Sequence, residues 1–120
     1  MKLSIILPVR NESKAISKTL DIICTGISKI DFEIIIINDF SDDNTCEVIN
    51  EKKNDNINIK LFNNNKKGLG GANNLGIEKS TGEAICIMMA DLSDSISDLK
   101  TYYKLIQSKN EIKNEWFKNI

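Results

Sequence analysis

The stretch "FEIIIINDFSDD", residues 32–43, decides how the chain folds. A strand with one face in water alternates apolar and polar residues. Four consecutive isoleucines do not, and their β-branched side chains favour an extended backbone. Such a strand is covered on both faces, which is the situation of a parallel sheet layered between helices. The polar run "NDFSDD" then takes the chain out of the sheet and leaves Asp39 at the strand's carboxyl end.

Outward from this stretch the same logic repeats. Upstream, "LSIILPV" (residues 3–9) is a second apolar run of strand length, and Ile16, Leu20, Ile23 and Ile27 recur at helical spacing between the two. Downstream, Ser41 or Asp42 is placed to cap a short helix, and residues 57–62 in "INIKLFNN" give a third, weaker strand. "GLGGANNLGIEKSTG" reads as a Gly-rich turn entering a helix through Ala72, Leu75 and Ile77 and closing near Gly82. In "AICIMMADLSDSISD" (residues 84–98) a fourth strand over 84–90 delivers Asp91 to a rim, and Ile96, Leu99, Tyr103 and Ile106 mark a last helix. Strand alternating with helix, with right-handed crossovers, closes as an α/β layer with helices on both faces of a parallel sheet.

The chain's 120 residues suit one domain. With 16 Lys+Arg against 17 Asp+Glu, the net charge of −1 gives no bulk attraction to nucleic acid or an anionic membrane. Cys24, Cys46 and Cys86 are widely spaced and no His is present, which excludes a disulfide framework or a zinc site; Cys24 and Cys86 read as small buried hydrophobes. A reducing, cytoplasmic setting fits. The first apolar run is shorter than a signal-peptide core, and no run approaches the roughly 20 apolar residues of a transmembrane span.

Ligands of parallel sheets bind beyond the carboxyl ends of the strands. Here those ends are "PVRNE", "NDFSDD", "NNNKKGLGG" and "ADLSD", all polar. Asp39 and Asp91, directly at strand ends, are placed to share one crevice and to hold a hydroxyl, a base N–H or a divalent metal. Asp42, Asp43 and Asp94 read as caps and turn formers. "KKGLGGANN" offers unobstructed backbone N–H groups at a helix N-terminus beside Lys66 and Lys67, which suits a phosphate; the alternative is a turn that only lets its helix pack close.

The four blocks "LSIILPVRNE", "EIIIINDFSDDNT", "KKGLGGANNLGIEKSTGE" and "ICIMMADLSD", in that order, resemble the family 2 glycosyltransferases of GT-A fold, in particular the dolichol-phosphate mannose synthase-like polyprenyl-phosphate sugar transferases. The resemblance runs from about residue 3 to residue 105. It implies a Rossmann-like sheet of order 3-2-1-4 and a nucleotide-diphosphate sugar lying across the strand ends. Pro8, Arg10 and Glu12 fall in the block that packs on the nucleoside. Asp39 matches the base or ribose contact, with Ser41 beside it, and Gly68, Gly70 and Asn74 match the Gly-rich block. Asp91 matches the last acid of the Asp-x-Asp motif that holds Mg2+ or Mn2+. The implied acceptor is a polyprenyl phosphate or a glycan, and the implied place is the cytoplasm or the cytoplasmic face of a membrane.

This sequence departs from the family pattern at Asn38 and Phe40, where an Asp and a Gly are usual, and at Met89, where the first acid of the metal motif is usual. A thioether is a poor ligand for hard cations, so the metal is expected to rest on Asp91, the donor diphosphate and Ser93 or Asp94, with Met89 turned into the core. Family members continue beyond the metal motif with the acceptor site and the catalytic base. The expectation is therefore a truncated transferase: a nucleotide-sugar-binding domain over residues 1–110 and a divergent tail over 111–120, whose Ile112, Trp116, Phe117 and Ile120 pack over the sheet. The competing class is a catalytically inactive nucleotide-binding or interaction module. A dinucleotide-binding oxidoreductase domain would carry its Gly-rich turn after the first strand, and a response-regulator receiver would carry its acid pair there; this chain has "PVRNE".

Overall fold

A computed structural model describes residues 1–91 and 96–118, with side chains as far as residue 109. Four strands, β1 (Leu3–Val9), β2 (Phe32–Asn38), β3 (Ile59–Asn63) and β4 (Ala84–Ile87), alternate with four helices, α1 (Ile16–Gly26), α2 (Thr45–Asp55), α3 (Leu69–Lys79) and α4 (Ile96–Lys118). All strand pairs are parallel and the order is β3-β2-β1-β4, as expected. Leu3 stands opposite Phe32 on one side and Ala84 on the other, so β1 is central.

The isoleucine run explains the layering. Strand alternation sends Ile34 and Ile36 to one face, where they join Leu3, Ile5, Leu7 and Val9 under Ile16, Leu20 and Ile23 of α1, Ile49 of α2 and Leu99 of α4. Ile35 and Ile37 go to the other face and meet Ala72 and Leu75 of α3. All four isoleucines are fully buried, each stabilising the fold by roughly 1.5–3 kcal/mol relative to exposure. The three cysteines are half-buried, Cys24 and Cys86 against the core.

The one acid in β2, Glu33, is nearly as buried as its neighbours, with its side chain 2% exposed. Its carboxylate accepts the Ser4 hydroxyl at 2.6 Å, the Thr81 N–H at 2.7 Å, the Thr81 hydroxyl at 2.9 Å and the Lys60 ammonium at 2.8 Å. Burial alone would raise its pKa; the donors from Lys60, Ser4 and Thr81 outweigh it and hold the group at about 2. Glu33 thus ties β1, β3 and the turn before β4 together at the amino ends of the strands.

Several expected boundaries move. Ile57 is 92% exposed and precedes β3, which starts two residues later. Neither Ser41 nor Asp42 caps α2: the helix starts at Thr45, whose N–H and hydroxyl both go to the Asp43 carboxylate. In α3 the buried positions are Ala72 and Gly76, while Ile77 is 47% exposed. Met89 is not core. Although β4 ends at Ile87, alternation persists: Met88 and Ala90 are buried, and Ile87, Met89 and Asp91 point outward, so Met89 is 41% exposed. Helix α4 runs through residue 110 to Lys118. The side chains of Ile112, Trp116, Phe117 and Ile120 lie outside the described residues, as do Ser93 and Asp94. No helix among the described residues is long and apolar enough to cross a membrane.

Candidate functional site

At the carboxyl ends the parallel ladder runs one residue further than the strands. The Asp39 N–H donates to Val9 O at 2.8 Å and the Asn64 N–H to Asn38 O at 2.8 Å, fixing both side chains on the rim. Asp39 is only 8% exposed. Its Oδ1 accepts the Asn64 side-chain amide at 3.0 Å and the Gly68 N–H at 3.0 Å, and Oδ2 shares the Gly68 donor at 3.2 Å. Gly68 and Asn64 hold the carboxyl below its usual range against the opposing effect of burial, helped by the positive charges of Arg10 and Lys67. At neutral pH Asp39 is therefore an ionised acceptor, suited to an N–H or O–H and unsuited to a phosphate oxygen.

The Gly-rich turn joins this carboxylate directly. Gly68 precedes α3 with φ +115°, a backbone that a side chain would strain, and from there its N–H reaches Asp39. Gly70 and Asn74 lie exposed on α3. Pro8 is buried within β1 opposite Ile37, while Arg10 is exposed just past the strand end.

The first two loops are cross-linked through side chains. Ser41 accepts the Asn11 N–H at 3.0 Å, and Asn11 Oδ1 accepts the Asp42 N–H at 2.7 Å. The Glu12 N–H donates to the Thr45 hydroxyl at 3.0 Å, and its carbonyl accepts the N–H groups of Ala15 and Ile16 at the start of α1. Glu12 and Ser41 thus shape the loops. Phe40, where the family pattern has Gly, sits at φ +59°, so the left-handed backbone that favours Gly is present although the residue is not.

On the fourth strand end, the Thr19 hydroxyl of α1 donates to Ala90 O at 2.7 Å and so anchors the backbone before the exposed Asp91. Among the described residues no three His, Cys, Asp or Glu side chains group to hold a metal. One carboxylate fits a hard cation only when ligand diphosphate oxygens complete the shell, as is common for Mg2+.

Direct contact or charge brings together Arg10, Asp39 and Gly68 from the expected set. Asn64, Asn11, Asn38 and Thr45 belong to the same constellation and were not expected. Their only sequence signal is an Asn or Thr between the carboxyl end of a strand and the start of the next helix, a weak one in a chain this rich in Asn. A cleft of about 410 Å³, lined by Gly26, Ile27, Tyr103 and Lys104 among others, lies instead toward the amino ends of the strands, away from these acids.

Comparison with known proteins gives the same fold and a family. The chain is 32% identical over 118 residues to a dolichyl-phosphate beta-glucosyltransferase of Trichomonas vaginalis, covering 92% of this chain and 35% of that protein. It superposes on residues 1–349 of the Staphylococcus aureus transferase TarS with a TM-score of 0.71 at 26% identity, covering 90% of this chain and 33% of that piece. For TarS in complex with UDP the TM-score is 0.63 at 28% identity, over 76% of this chain and 28% of that one. A Pyrobaculum calidifontis mannosyltransferase solved with GDP-Man and Mn2+ shares the fold (24% identity, TM-score 0.64, 74% of this chain and 27% of that one). The chain therefore spans between about a sixth and a third of the length of the curated relatives it matches. The sheet of order 3-2-1-4 is the Rossmann-like nucleotide-binding half of the GT-A fold. With the sequence profile of "Glycosyl transferase family 2" matching residues 4–112, the chain belongs to that family.

Proposed function

We propose that this chain binds a nucleotide-diphosphate sugar, with Asp39 accepting a donor hydrogen from the base or ribose and the diphosphate lying toward Arg10, Lys67 and Asp91. The observation that carries the reading is Asp39 itself, a nearly buried, ionised carboxylate on the ligand-binding edge of the sheet, pinned by the Gly-rich turn. The UDP complex of TarS, similar over 76% of this chain, supports it. Pro8 and Glu12 support the first loop from below, Ser41 fixes the second loop, and Gly70 and Asn74 present the exposed start of α3 to the donor. Asp91, with diphosphate oxygens, would hold Mg2+ or Mn2+, which supplies charge neutralisation for the departing nucleoside diphosphate. Transfer of a hexose to a polyprenyl phosphate or glycan is the reaction proposed for the whole enzyme, acting in the cytoplasm or at the cytoplasmic face of a membrane.

Calorimetric titration of UDP into the 120-residue chain, with and without Mn2+, tests the reading. Binding that strengthens with Mn2+ is expected, with Mn2+ alone bound far more weakly because one carboxylate is a poor site. Asp91→Asn should abolish most of the Mn2+ dependence and leave metal-free UDP binding nearly unchanged. Absence of UDP and GDP binding at millimolar concentrations would overturn the proposal. Metal-independent binding favours the second reading, an inactive nucleotide-binding module, which the exposed Met89 in place of an acid motivates.

A further inference from the structure

We propose that Asn64 is a positioning residue for the nucleotide site, its side-chain amide locking the Asp39 carboxylate and the Gly-rich turn into one unit. The functional part of this inference rests on the reading of Asp39 as the acceptor for a nucleoside N–H or O–H.

Asn64 immediately follows β3 and is 6% exposed, with its own N–H donated to Asn38 O. Three acceptors surround its amide nitrogen: Asp39 Oδ1 at 3.0 Å, Lys66 O at 2.5 Å and Gly68 O at 3.3 Å. Its amide oxygen accepts the Lys66 N–H at 3.3 Å. These neighbours dictate both residue type and orientation. Turned over, or replaced by Asp, the side chain would set an oxygen against three oxygens, one of them charged, in a nearly dry place.

The consequence for Asp39 is geometric. Oδ1 takes both the Asn64 amide and the Gly68 N–H, which fixes the plane of the carboxylate. Oδ2 carries only the longer Gly68 contact and keeps acceptor capacity for a ligand. The charged groups acting on Asp39 are Arg10, past the end of β1, and Lys67, in the turn. Neutral donors with defined directions set its orientation, and the cations bias its charge. Without Asn64 the carboxylate is free to rotate and residues 64–68 lose the side chain that gathers them.

The test uses the full chain as wild type, Asn64→Ala and Asn64→Asp. Carbon-13 NMR titration of Asp39 without ligand is paired with calorimetry using UDP and Mn2+. In Asn64→Ala, Asp39 should titrate at higher pH than in wild type, the Gly68 amide resonance should move, and UDP affinity should fall about tenfold, the loss of one hydrogen bond to a charged group. In Asn64→Asp, affinity should be lower still at pH 7 and recover partly as pH falls and the two carboxyls come to share one proton. A merely structural role would not produce that recovery. An unchanged Asp39 titration and Gly68 resonance in a folded Asn64→Ala chain overturns the inference. If Asn64→Ala does not fold, Asn64→Asp reads the same titration, and failure of both to fold overturns it in favour of a structural role. A wild-type chain that ignores UDP while the Asp39 titration shifts as expected overturns the nucleotide reading and leaves the lock standing.

Discussion

Glu33 and Asp39 are both nearly buried carboxylates, and their partners set them apart. Glu33 has two cations, Lys60 at 2.8 Å and Lys2 at 3.7 Å, and three neutral donors around it at the amino ends of the strands. Its folded pKa of about 2, against an ordinary 4.5, means that its contribution is fully present above about pH 4.5 and is lost as pH falls toward 2. The shift corresponds to about 3 kcal/mol. Urea unfolding followed from pH 7 to pH 2.5 should show this acid limb in wild type, and Glu33→Gln should flatten it while costing about 2 kcal/mol at pH 7. Phe40 offers a gain: at φ +59° and 46% exposed, it strains the backbone and buries little, so Phe40→Gly should stabilise the fold by up to about 1 kcal/mol, read as a higher urea midpoint. The acids at strand ends were legible from sequence because a carboxylate after an apolar run has few places to go. Asn64 and Asn11 were not, because each side chain has its telling partner in a loop distant in sequence, the Asp39 carboxylate for Asn64 and the Asp42 N–H for Asn11. Met89 follows strand alternation, which holds to Asp91, and not its apolar character.

Within elements, the first turn of α3 holds two kinds of glycine. A Cβ on Gly71 would lie 2.3 Å from the Lys66 carbonyl oxygen, a backbone atom, whereas one on Gly70 would meet nothing within 4 Å. Gly71→Ala should therefore displace the turn, cost about 2 kcal/mol and weaken UDP binding, while Gly70→Ala should be neutral or stabilising by about 0.5 kcal/mol. Thermal melts of the two variants decide it; equal destabilisation would contradict the geometry. Strand and helix identities followed from periodicity, since Ile16, Leu20, Ile23 and Ile27 are all essentially buried. The start of α2 did not follow, because "SDDNT" holds several residues able to begin a helix and only the Thr45 contact selects Asp43 as the acceptor.

For the whole molecule, the sheet order makes β1 depend on both ends of the described fold: β2 covers one edge and β4 the other. A chain ended after Gly82 would leave Leu3–Val9 with one edge open, the partners Ala84 to Ile87 of Leu3 to Ile6 being lost. It is expected to lack a cooperative thermal transition, checked by circular dichroism beside the 120-residue chain. The pairing of Leu3 with Ala84 spans about eighty residues, and synthesis at roughly 5–20 residues per second separates their appearance by about 4 to 16 seconds. For that interval "LSIILPV" has no fourth strand to pair with, and with "FEIIIIN" it leaves two apolar, β-branched segments in an incomplete sheet, which is the kind of chain a holding chaperone is expected to bind.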